Sequence, residues 1–138
     1  MKNIFDYNPS REEINFLEQK LLQFNCSKVD KYSYENFIIK TIDNSNSTIA
    51  GIHGQVGGGW LYIASLWVNE FHRKQGIGKK LLFLAEERGI KKHCCGAYLY
   101  TYSFQSPKFY EKLGYEVFGT LEGFCVNQSK LFMKKNLA

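Results

Sequence analysis

The stretch "RKQGIGKKLL", residues 73–82, decides how this chain is read. Gly76 and Gly78 stand in it among Arg73, Lys74, Lys79 and Lys80, and an apolar helical pattern begins directly afterwards. Glycine weakens a helix start unless the backbone must turn sharply or something must come close to it. A helix beginning near Gly76 would turn its first backbone N–H groups and the positive end of its dipole outward. A phosphate could then approach without a Cβ in its way. The stretch predicts a strand-to-helix loop that holds an anion.

The flanks fit that reading. "WLYIASLWV" (60–68) is apolar on both faces, as a central strand is. After the loop, Leu81, Leu82, Leu84 and Ala85 form the stripe of a helix running to about residue 92, with Glu86, Glu87 and Arg88 as its solvated end. Upstream, β-branched residues at 36–43 and 48–56 flank "NSNS", a hairpin pattern, and the glycines at 57–59 mark a second turn. Ser10 and Glu13 form a capping-box pair ahead of Ile14, Leu17, Leu21 and Leu22, which predicts a helix over 10–24 and a polar connection over 25–33.

Downstream, "GAYLYTY" (96–102) alternates, with Tyr98, Tyr100 and Tyr102 on one face and Ala97, Leu99 and Thr101 on the other. Ser106 and Pro107 open a short helix that Gly114 stops, and residues 115–121 and 129–135 are closing strands. The order is helix, three strands, helix, strand, helix, two strands. It predicts one α/β domain over 1–138, built on a single sheet with helices on both faces.

Composition narrows the function classes. Apolar residues make up 44% and charged residues 22%, a globular balance. No apolar run reaches membrane-spanning length, and "MKNIFDYNPSREE" lacks the apolar centre of a secretory signal, so a cytoplasmic location is expected. Cys26, Cys94, Cys95 and Cys125 fit neither a zinc pattern nor a disulfide framework. Reduced thiols and no metal are expected, with a metal site of Cys94, Cys95, Cys125 and His93 as the disfavoured alternative. The net charge of +5 is scattered, with concentrations only at 73–80 and 130–135, which argues against a nucleic-acid footprint. The loop itself lacks the spacer and Lys-Ser/Thr pair of a nucleotide P-loop and the third glycine of a dinucleotide fingerprint.

"LWVNEFHRKQGIGKKLLFLAE" followed by "LYTYSFQSPKFYEKLGYEVFG" resembles the GNAT family of acetyl-CoA-dependent N-acetyltransferases, over at least residues 48–135. The resemblance implies a mixed, mostly antiparallel sheet whose central strands, "ASLWV" and "AYLYT" here, splay apart. It implies that Arg73, Lys74, Gln75, Gly76, Ile77, Gly78 and Lys79 cradle the pyrophosphate of coenzyme A. The pantetheine arm would bond to the backbone of Leu66, Trp67 and Val68, since splayed strands leave N–H and C=O groups unpaired. Ser103 stands where many members carry a cofactor-contacting Asn, and can still donate and accept a hydrogen bond.

Acetyl transfer to an amine needs deprotonation of the amine, donors for the oxyanion and a proton for the leaving thiolate. By resemblance Tyr110 supplies that proton and a backbone N–H near Val68 serves the oxyanion. Glu70, just past the strand end, is the candidate base. His53 reads as a structural strand residue and His72 as an exposed loop residue, and a water relay without a dedicated base is the alternative. The acceptor pocket would draw its walls from Trp60, Tyr62, Trp67, Phe71, Tyr102, Phe104 and Phe124, with Asn25 and Gln105 as polar groups. Such walls suit a cationic or aromatic amine. The function expected is acetylation of a primary amine of a small molecule or peptide by direct attack in a ternary complex, with a catalytically inactive acyl-CoA-binding module as the alternative. No membrane partner is expected, and the exposed last strands would serve a homodimer.

Overall fold

Ser10 starts the first helix where the capping pattern places it. Its Oγ accepts from the Glu13 N–H at 3.2 Å, and its own N–H donates to Glu13 Oε2 at 2.9 Å. The helix, α1, spans Arg11–Lys28, longer than expected because Asn25, Cys26 and Ser27 include no residue that stops it. Lys28 in its last turn complements the helix dipole. The computed structural model describes residues 1–29 and 34–138, so the end of the expected 25–33 connection lies outside the described residues. The chain divides into two units, residues 1–32 and 33–138, and α1 is the helix of the first.

The second unit carries the sheet. Its elements are β1 (Tyr34–Ile42), β2 (Thr48–Gly57), β3 (Trp60–Val68), α2 (Ile77–Lys91), β4 (Gly96–Tyr102), α3 (Pro107–Lys112), β5 (Glu116–Phe124) and β6 (Gln128–Asn136). The strand order is β1-β2-β3-β4-β6-β5, and every neighbouring pair is antiparallel except β3 and β4. The mixed, mostly antiparallel sheet is as expected, and "WLYIASLWV" is indeed an inner strand. The Asp43 carboxylate turns the first hairpin, accepting from the N–H groups of Ser45 and Ser47 at 2.9 Å each.

The parallel pair comes apart. β3 and β4 pair only from Trp60 with Gly96 to Ile63 with Leu99. Beyond that, β3 stays bound to β2 as far as Val68, and β4 stays bound to β6 as far as Tyr102. The cause is a β-bulge: Ile63 pairs with Gly54 and Ser65 with His53, which leaves Ala64 as an extra residue that bends β3 away. Splayed central strands are therefore present, with their facing edges free of each other.

One face of the sheet is closed by α2, which lies against β1, β2, β3 and β4. Leu81, Leu82 and Ala85 meet Ile52, Leu61, Leu99 and Met133 in a fully buried core. Phe109, Tyr110 and Leu113 of α3 pack against the same core. The β4 alternation holds, with Ala97, Leu99 and Thr101 buried and the three tyrosines on the other face. Glu86 is not a solvated helix end but is 8% exposed, because it follows Leu82 by one turn on the inward stripe.

The closing hairpin is longer than expected. Cys125, Val126 and Asn127 all take positive φ (46°, 41° and 65°), so the turn is made without glycine at its tip and the strands continue to Phe124 and from Gln128.

Candidate active site

The residues between β3 and α2 build one wall of a cleft. Asn69 leaves the strand with its N–H on the Ile49 carbonyl at 2.8 Å, and its side chain accepts from the Phe71 N–H at 2.9 Å, starting a short 3-10 turn, Glu70–His72. Arg73 folds back so that its Nε donates to the Val68 carbonyl at 3.1 Å. Lys74 and Gly76 then both take left-handed backbone conformations, with φ of 61° and 79°. Only Gly76 does so without strain.

The start of α2 contrasts with the start of α1. The N-cap of α2 is Gly76, no side chain caps it, and its first turn carries no acidic residue. A helix start without a cap leaves backbone donors for a ligand, and alternating left- and right-handed residues form the concave nest that anions occupy. A Cβ on Gly76 would meet nothing within 4 Å, so the space before it is open. Gly78 is different. A Cβ there would lie 3.5 Å from Phe109 and 3.6 Å from Val68, so Gly78 is where α3 and β3 close on the loop.

The cleft holds about 860 Å³, within the range of small-molecule sites. It runs from the loop along the parted edges of β3 and β4 to α3. Among the sequence-derived candidates it brings together Leu66, Trp67, Val68, Arg73, Lys74, Gly76, Ile77, Gly78, Lys79 and Tyr110. Gln75, Glu70 and Ser103 do not line it. Glu70 is exposed on the 3-10 turn. The Ser103 hydroxyl donates to Gln128 Oε1 at 2.7 Å and accepts from the Ser129 N–H at 2.9 Å, which ties β4 to β6.

Tyr110 forms the wall at the far side. Burial pushes its hydroxyl up to about 12, because the phenolate would lose water. It is therefore protonated at neutral pH and has a proton to donate. An ordinary thiol titrates at about 8.5, and burial would raise a leaving thiol in the same direction as the phenol.

Of the proposed acceptor walls, Trp67, Tyr102, Phe104 and Gln105 line the cleft, and Trp60, Tyr62, Phe71 and Phe124 do not. Phe104 and Phe124 both stack on Tyr102, with centroids 5.2 and 4.7 Å away. Gln105 Oε1 accepts from Thr101 Oγ1 at 3.1 Å and the Tyr102 N–H at 3.0 Å, fixing the end of β4. Asn25 belongs to α1, in the other unit. His72, read as an exposed loop residue, instead lines the cleft. Its Nδ1 is buried with no hydrogen-bond partner among the described residues. Nothing in its sequence neighbourhood signals this. Among the described residues, no group of His, Cys, Asp and Glu could hold a metal ion.

An open mixed sheet with a bulged, splayed parallel pair and an uncapped glycine helix start is an architecture shared with known proteins, and they give the chain a family. Residues 6–115 match the acetyltransferase (GNAT) family model, and this chain belongs to that family. It is 32% identical over 119 residues to an acetyltransferase of Agrobacterium fabrum, covering 86% of this chain and 87% of that one. The crystal structure of an acetyltransferase from Agrobacterium tumefaciens superposes with a TM-score of 0.91 at 29% identity, over 99% of both chains. The PaiA N-acetyltransferase of Thermoplasma acidophilum, solved in complex with coenzyme A, shares the fold at 22% identity, with a TM-score of 0.64 over 94% of this chain and 80% of that one. The protein is accordingly an acyltransferase. No helix among the described residues is long and apolar enough to cross a membrane.

Proposed function

We propose that this chain transfers the acetyl group of acetyl-CoA to a primary amine of a small molecule or peptide, by direct attack within a ternary complex. The observation that carries this is the uncapped start of α2, whose glycine and flanking cations open into the same cleft as the parted strand edges. The pyrophosphate would lie on the backbone of Gly76–Lys79 with Arg73, Lys74 and Lys79 around it, in charge-assisted contacts. The pantetheine amides would pair with the free edge of β3 at Leu66–Val68, as an added strand does.

The amine nitrogen attacks the thioester carbonyl, and the oxyanion takes a β3 backbone N–H near Val68. As the tetrahedral intermediate collapses, the carbon–sulfur bond breaks and the Tyr110 hydroxyl donates to the sulfur. The proton of the amine leaves by water at the cleft mouth, with exposed Glu70 as a final acceptor. Trp67, Tyr102 and Phe104 suit an acceptor that is cationic or carries an aromatic ring.

The test is thiol release from acetyl-CoA in the presence of tryptamine, spermidine or a lysine-bearing peptide. Turnover with at least one amine is expected, and Tyr110→Phe should slow it by about 10²–10⁴-fold with little change in acetyl-CoA affinity. Binding of acetyl-CoA with no transfer to any amine would instead favour a catalytically silent acyl-CoA-binding module.

A further inference from the structure

One polar cluster, with Glu86 and Tyr115 buried and Lys135 half-buried, takes no part in the chemistry above. Glu86 Oε1 accepts from the Tyr115 hydroxyl at 3.0 Å, and Glu86 Oε2 accepts from Lys135 Nζ at 2.9 Å. Tyr115 is 3% exposed. Its ring meets the Tyr110 ring edge-on, with centroids 5.8 Å apart, and its backbone N–H donates to the Tyr110 carbonyl at 3.0 Å. The Lys135 stem passes over Gly114, where a Cβ would stand 3.4 Å from its Cε. One carboxylate thus joins α2, β6 and the residue after Gly114, and through Tyr115 it reaches Tyr110.

This arrangement is an odd choice for stability alone. Replacing a buried ion pair with apolar residues of similar size is often neutral or stabilising, and a leucine at 86 would simply continue the stripe of α2. Orientation is the stronger reason for it. The helix α3 has only six residues, none fully buried, too short to hold its own geometry. A proton donor on it needs support from outside the helix, to within about 0.5 Å of its working position.

We propose that Glu86 is a positioning residue: by gripping the Tyr115 hydroxyl and the Lys135 ammonium together, it fixes Tyr115, and Tyr115 fixes the Tyr110 ring for donation to the leaving sulfur. The inference rests on the acetyl-transfer reading of Tyr110. It also ties the helix whose first turn forms the anion loop to the helix that carries the proton donor.

The experiment compares Glu86→Gln, Glu86→Ala and Tyr115→Phe in the native chain and in a Tyr110→Phe background. Thiol release from acetyl-CoA is followed with tryptamine and with water alone as acceptor, and acetyl-CoA affinity is taken by calorimetry. In the native background kcat should fall about 10- to 100-fold, as a misplaced catalytic group does, with acetyl-CoA affinity within about twofold. Glu86→Ala should be the more severe change, because Gln keeps an acceptor for the Tyr115 hydroxyl. In the Tyr110→Phe background the same substitutions should change kcat by less than about twofold, since the group they act through is gone. Equal losses in both backgrounds, or none in either, would overturn the proposal. If the Glu86 variants fail to fold, Tyr115→Phe carries the test, because it keeps the buried ring and removes only the hydroxyl. A native protein that releases no thiol would remove the acetyl-transfer reading and this inference with it. A Tyr110→Phe variant as active as the native chain would remove only the role of Tyr110 and what supports it.

Discussion

Gly76→Asp is a change that separates folding from anion binding, because the space before Gly76 is open. Gly76 has φ 79° and ψ 6°, so any side chain there bears left-handed strain of roughly 1–2 kcal/mol, and Asp bears less than most. Nothing lies within 4 Å of the new Cβ, so no packing term adds to this. The effect on a bound pyrophosphate is far larger. A carboxylate held about 4 Å from a phosphate charge is repelled by about 4 kcal/mol at the effective dielectric of a protein surface. That corresponds to about 10³-fold weaker binding. The assay is quenching of Trp67, which lines the cleft, titrated with acetyl-CoA. Gly76→Asn is the neutral control of equal size. The Asp variant should lose about three orders of magnitude of affinity, the Asn variant distinctly less, and both should unfold cooperatively within a few degrees of the native chain. Unchanged affinity in Gly76→Asp would take the loop out of the site.

Three further outcomes follow from geometry at other positions. Gly78→Ala should keep acetyl-CoA affinity and raise stability by about 0.5 kcal/mol, since its Cβ makes ordinary contacts and leaves fewer unfolded conformations; a tenfold loss of affinity would contradict this. Gly96→Ala should cost about 1–3 kcal/mol, because its Cβ would stand 2.8 Å from the Lys135 carbonyl oxygen, a backbone atom that cannot swing away. An unchanged thermal midpoint would show that this contact relaxes. Hydrogen bonds from Arg88 and then Lys92 hold the Glu35 carboxyl down to about 2. A depressed carboxylate stabilises above its ordinary range, and that contribution fades as pH falls through about 2. Urea unfolding of Glu35→Gln should therefore show a deficit at pH 7 that shrinks towards pH 2 and in high salt. A deficit independent of pH would assign it to packing.

The loop was legible because its signals are local: two glycines, clustered cations and a change of hydrophobic period mark a turn into a helix whatever surrounds them. The element order followed for the same reason. The splay was implied only by family resemblance, because it depends on Ala64 being the unpaired residue opposite Gly54 and His53. A one-residue offset in register leaves no mark on a strand apolar on both faces. The burial of Glu86 was hidden because its partners stand 29 and 49 residues away, and a lone acid at the end of an apolar stripe reads as the water boundary. The placing of Ser103 and His72 is of this kind too. The Ser103 hydroxyl is taken by β6, and the His72 ring turns inward from a stretch that looks like exposed loop. Alternation gave the shared face of Tyr98, Tyr100 and Tyr102 correctly, but could not tell which end of β4 opens into the cleft.

Calorimetric titration of the full chain with acetyl-CoA, with ATP and a short DNA duplex as controls, tests the central claim most directly. Saturable one-to-one binding of acetyl-CoA, with much weaker response to ATP and DNA, is the result expected of an uncapped glycine helix start beside parted strands. Binding to DNA with none to acetyl-CoA would mean that the loop is only a turn and that the cleft serves another ligand.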